Sequence, residues 1–184
     1  RRLPFPSLYK ATRGNHQEKF EKAWKWADEL GYKKRIHYGK LIDKQVTLFS
    51  LEMFLYFYKL YRKSLLNTTA KKILDFIKQN GPTSTTTLRK NLNLWGKENK
   101  NEFVKAIDQL QMAFAVAIVN REKPPKMTHI YDLTERWMPK KLLEEAESID
   151  ETSAKEKIIS QLIENKVISQ PEKANRLLKL TTSS

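Results

Sequence analysis

The stretch Ala113-Phe114-Ala115-Val116-Ala117-Ile118-Val119-Asn120-Arg121-Glu122-Lys123-Pro124-Pro125-Lys126-Met127-Thr128-His129-Ile130-Tyr131-Asp132-Leu133 decides the fold. Residues 113–120 alternate as a strand does. Residues 121–126 are a basic turn, because two prolines remove backbone donors and fix φ. Residues 127–133 read as the returning strand. Upstream, residues 69–80 carry Ile73, Leu74, Phe76 and Ile77 at helical spacing and are closed by Gly81-Pro82. A threonine run, residues 83–87, opens a short helix through Leu88 to Leu92. Leu94-Trp95-Gly96 then makes a tight connection. A third helix runs from Lys97 to about Met112, with Phe103, Ile107 and Leu110 in register. Three helices followed by a hairpin with a basic tip is the winged-helix order, in which the second and third helices form the helix-turn-helix.

The flanks read as helical. Residues 16–30 place Phe20, Ala23, Trp24, Ala27 and Leu30 at three- and four-residue spacing, with Gly31 as the stop. The first dozen residues read as an extended arm docked by Phe5, Leu8 and Tyr9. Residues 35–42 and 45–49 are two short β segments around Asp43-Lys44. Ser50 is a plausible N-cap for residues 51–61, apolar nearly all round and hence central to the packing. Downstream, residues 140–148 are amphipathic. Ser153-Ala154-Lys155-Glu156 has capping-box form, and Ser169-Gln170-Pro171-Glu172 repeats it before a helix over 172–180. The expected architecture is α+β, mostly helical: a winged helix-turn-helix with flanking helical segments. Its divisions fall at 1–63, 64–139 and 140–184, the last open to reading as the start of a further winged helix.

Charge points to the partner. The 184 residues hold 35 Lys and Arg against 21 Asp and Glu, a net charge of +14. Residues 1–63 carry +9, residues 64–139 carry +5, and residues 140–184 are neutral. A positive field on three quarters of the chain favours a polyanion, whose neutralised phosphates release counterions. With no cysteine, disulfide scaffolds, thiolate zinc sites and cysteine nucleophiles are excluded, and the composition fits a reducing cytoplasm. No apolar run approaches the ~18 residues of a membrane span. A chain this long buries about 70% of its unfolded surface without a staple.

The motifs of catalysis do not appear. His16, His37 and His129 have no metal-ligand spacing, so no metal site and no cofactor is expected. There is no Gly-rich phosphate loop and no Gly-x-Ser-x-Gly elbow. Glu144, Glu145 and Glu147 read as a solvated helix face. No catalytic residue is assigned. Basic groups instead outline a nucleic-acid surface. At the start of the third helix, Asn99 and Asn101 are placed to read an adenine edge, and Lys97, Lys100 and Lys105 to meet phosphates. Arg89 and Lys90 lie on the second helix. Arg121, Lys123 and Lys126 would set the wing beside the backbone. Trp24, Trp95 and Trp137 are read as core, and Trp26, off the buried stripe of its helix, as the indole free to stack on a base.

Tyr131-Asp132-Leu133-Thr134-Glu135-Arg136-Trp137-Met138-Pro139 resembles the Val-Tyr-Asp-Leu-x-x-Arg-x-x-Pro stretch of the AlkZ/YcaQ family, bacterial DNA glycosylases built from tandem winged helices. Asn80-Gly81-Pro82-Thr83-Ser84 is similar to that family's Gly-Pro turn between helices. Tyr38-Gly39-Lys40 and Phe49-Ser50 resemble an AlkZ-related branch of unknown function. The chain departs from the glycosylases where their Tyr-Trp-Ala-His segment should stand, reading Tyr38-Gly39-Lys40-Leu41. Their Gln-x-Gln or Gln-x-Asp motif would lie before Arg1. Gln109-Leu110-Gln111 copies that string at the end of a helix, where positions i and i+2 do not share a face, and is read as coincidence. The resemblance implies a scaffold for double-stranded DNA. Two other readings stay open: a glycosylase of alkylated or crosslinked bases that needs a further N-terminal part, and a winged-helix protein-interaction module. Oligomeric state is not legible.

Overall fold

The structure, a computed structural model, describes residues 11–42, 44–123 and 128–174. The arm read over the first dozen residues lies outside them apart from Ala11 and Thr12, as do residues 175–180 of the last expected helix. Helix α1 spans His16–Tyr32, capped by the Asn15 side chain, which accepts from the Glu18 N–H. It does not stop at Gly31. That glycine is helical and buried, and the Tyr38 ring takes the space a Cβ there would need. The chain turns away three residues later at Lys34, which takes the left-handed conformation at φ 54°. Strands β1 (Ile36–Ile42) and β2 (Gln45–Ser50) pair antiparallel, with Ile42 opposite Gln45 across the tight turn. Ser50 does cap α2 (Leu51–Tyr61), accepting from the Met53 N–H at 3.2 Å.

Helix α3 (Thr68–Asn80) begins at the Asn67 cap, and Gly81 ends it by donating its N–H to Ile77. The threonine run then splits. Thr83–Ser84 form a two-residue strand, β3, and Ser84 caps α4 (Thr85–Asn91). Helix α5 spans Lys97–Met112, β4 Val116–Arg121 and β5 His129–Leu133. The sheet order is β3-β5-β4, both pairs antiparallel. The strand expected from Ala113 starts three residues late. Phe114 turns the chain at φ 53° and drives its ring into the core instead of pairing. A one-turn helix α6 (Thr134–Trp137), then α7 (Lys140–Ser148) and α8 (Glu151–Glu164), follow. Helix α8 starts before the expected capping box: Asp150 is the cap, and Ser153 donates its N–H to that carboxylate. Residues 171–174 are helical. The fold is α+β and mostly helical.

Two apolar cores share the β1–β2 hairpin. One gathers Ile73, Ile77, Leu88, Phe103, Ile107, Leu110, Ile118 and Tyr131 from α3–β5, together with Ala27 of α1 and Tyr38 of β1. The other sets Phe54, Phe57 and Tyr61 of α2 against Phe49, Phe114, Met138, Ile158 and Leu162. The hairpin therefore lies between them, and α1 and β1 are built into the α3–β5 unit by burial. Removing an aromatic or aliphatic side chain from either core costs about 2–5 kcal/mol.

Candidate nucleic-acid interface

Helix α5 carries two rows of side chains beyond its buried stripe of Phe103, Ile107 and Leu110. Lys97, Asn101 and Lys105 recur every four residues and share one face. All three are exposed. Lys100, Val104 and Asp108 form the second row. It starts in solvent at Lys100 and ends buried at Asp108, which pairs with Lys40 of β1 at 2.9 Å. The N-terminal half of α5 is thus open, and its C-terminal half is covered by β1. Lys90 on α4 and Lys123 at the end of the described hairpin are also exposed. Lys126 lies outside the described residues.

Three of the expected contacts are occupied within the fold. Arg89 donates from Nε to the Leu94 carbonyl at 3.1 Å, and its guanidinium lies 4.6 Å from the Trp95 ring centroid and 5.7 Å from that of Phe103. It braces the turn between α4 and α5. Asn99 is turned back onto the same connection, donating to the Trp95 carbonyl at 2.9 Å and to that of Asn93 at 3.4 Å. Arg121 faces α1: its Nε is 3.2 Å from Asp28 Oδ2, its Nη2 donates to Asp28 Oδ1 at 3.3 Å, and it covers the Trp24 ring at 5.4 Å. Asp28 also accepts from the Tyr38 hydroxyl at 2.6 Å. Burial first, then that carboxylate, pushes the Tyr38 pKa far up, so the phenol stays protonated.

The threonines have a structural use that their spacing did not reveal. Thr85 donates to the His129 carbonyl at 3.3 Å, and Thr86 to Glu122 at 3.0 Å; Glu122 also accepts from Thr128. Helix α4 and the hairpin are stitched together on this side, and Arg121 with Asp28 fastens the other. The Asp132-to-Pro139 stretch is a clasp as well. Buried Asp132 pairs with Arg136 at 3.3 Å, and Arg136 donates to the Lys78 carbonyl near the end of α3. Gln109 and Gln111 hold different elements, as their i, i+2 spacing requires. Gln109 accepts from the Asn67 N–H and donates to the Leu65 carbonyl, whereas Gln111 accepts from the Lys40 N–H at 3.0 Å.

Trp95 is not core: it is 47% exposed at the turn, stacked on Arg89. Trp26 is exposed as its position off the stripe implies, and Trp24 and Trp137 are partly buried.

A family model described as AlkZ related matches residues 2–179. The chain belongs to the AlkZ-related family. No curated protein and no solved structure matched it. For this AlkZ-related protein, membership supports a connection to DNA repair in coarse terms. Among the described residues there is no cluster of His, Cys, Asp or Glu able to hold a metal ion, and no helix long and apolar enough to cross a membrane.

Proposed function

We propose that this AlkZ-related protein binds double-stranded DNA through residues 64–139 acting as a winged helix, flanked by parts spanning 1–63 and 140–184. The observation that carries the reading is the exposed face of α5. Lys97, Asn101 and Lys105 stand in one row at the open end of the helix, with Lys100 beside them and Lys90 on α4. The arrangement α3–β3–α4–α5–β4–β5 with sheet order β3-β5-β4 supports it. In such a module the first turns of the third helix approach base edges while lysines meet phosphates. Asn101 is the side chain placed to read a base. Lys97, Lys100, Lys105 and Lys90 supply the electrostatic contact, and Lys123 extends it along the hairpin. Arg89, Asn99 and Arg121 support the surface rather than touch the nucleic acid. A cytoplasmic setting is part of the same reading.

Labelled duplex, plain and alkylated, tests the proposal at two salt concentrations, with abasic sites assayed in the same tubes. Binding that weakens steeply with salt, without release of base, is the expected result; each neutralised phosphate contributes about 0.9 to the slope of log K against log salt. Release of the alkylated base would replace the binding module with a glycosylase. Absence of binding at low salt would overturn the DNA reading in favour of a protein partner.

A further inference from the structure

A half-open cavity of about 370 Å³ separates α1 and the β1–β2 hairpin from α5 and the β4–β5 hairpin. That volume falls in the range of small-ligand sites. Trp24, Phe103 and Tyr131 contribute aromatic surface to its wall. Val46 and Val104 also line it, one from each side, and are 44% and 40% exposed. The Trp24 ring is held in place by the Arg121 guanidinium, itself fixed by Asp28.

The polar groups in the wall narrow the chemistry. Lys40 is matched by Asp108 at 2.9 Å, so the pair offers no net charge to a ligand. Burial first, and Arg121 second, lower the His129 pKa to about 4, which keeps its imidazole neutral at pH 7 with one donor and one acceptor. Buried Gln111 is engaged within the fold, its amide oxygen accepting from the Lys40 N–H at 3.0 Å and its nitrogen donating to the Ile107 carbonyl at 3.4 Å, which leaves His129 as the polar edge of the wall. The valines offer nothing to a phosphate; Val104 neighbours Lys100 and Asn101 on α5, whereas Val46 stands on β2, away from that helix.

We infer that this cavity binds a free, uncharged, planar heterocycle of one or two rings, its faces against Trp24, Phe103 and Tyr131 and its polar edge toward His129. The assignment does not rest on the DNA reading, and its test uses free ligands, so either can fail without the other.

Methyl- and indole-labelled full-length chain, titrated with adenine, indole and adenosine monophosphate and followed by NMR, provides the test. Adenine and indole should shift the signals of Val46, Val104, Ile118 and Trp24 saturably, with adenosine monophosphate at least tenfold weaker. Val46→Trp, at an exposed rim position on β2, should weaken both neutral probes at least tenfold and leave duplex affinity within twofold. His129→Phe should weaken adenine at least fivefold and leave indole within twofold. The assignment is overturned if neither neutral probe gives saturable shifts up to its solubility limit, if adenosine monophosphate matches adenine, or if well-folded Val46→Trp binds as the parent does.

Discussion

His37 is buried with both ring nitrogens lacking a hydrogen-bond partner, its ring 5.0 Å from Phe54 and 5.3 Å from Phe114. Burial lowers its pKa to about 3, so the native imidazole is neutral where the unfolded one begins to protonate near 6.5. Between those values the unfolded state binds more protons, and stability falls as pH drops, by up to about 1.4 kcal/mol per pH unit for one such group. His129 adds to the same loss down to about 4. His37→Phe should therefore flatten the acid side of a Tm–pH profile, gaining more at pH 5 than at pH 7.5; a profile parallel to the parent's would contradict this. Arg89 carries a second expectation. Arg89→Ala removes the bond to Leu94 and the stack on Trp95 and should cost about 1.5–3 kcal/mol in denaturant unfolding, the usual worth of a charged hydrogen bond.

At the scale of elements, local pattern carried far. Ser50 as a cap, the bounds of α2, α5 and α7, and the antiparallel returns followed from spacing and turn chemistry alone. What did not follow depended on contacts distant in sequence. Gly31 lies inside the helix and yields the space of a Cβ to Tyr38, on a strand. Phe114 leaves the strand for an aromatic cluster supplied by α2 and β2. Among the expected DNA contacts, composition could not separate Lys97 and Lys105, which are exposed, from Arg121, which belongs to Asp28 some ninety residues earlier. That pair is a brace between α1 and β4. Asp28→Ala leaves Arg121 and the Tyr38 hydroxyl without their acceptor and should destabilise by about 3 kcal/mol, scaled from the cost of breaking buried pairs. A loss below 1 kcal/mol by equilibrium unfolding would show that the brace is dispensable.

For the whole molecule, the charge of +14 and the family membership favour a nucleic-acid partner, and the fold decides which cations remain to meet it. Arg121→Ala would confound binding with folding. Lys97, Lys100 and Lys105 are exposed, and their loss should leave Tm within a few degrees of the parent, as for surface substitutions generally. The direct test is duplex affinity against salt for the parent and for the Lys97→Ala, Lys100→Ala, Lys105→Ala triple variant. The account predicts weaker binding and a slope shallower by about 2.7, three phosphates at about 0.9 each. An unchanged affinity and slope in a variant that still folds would contradict it.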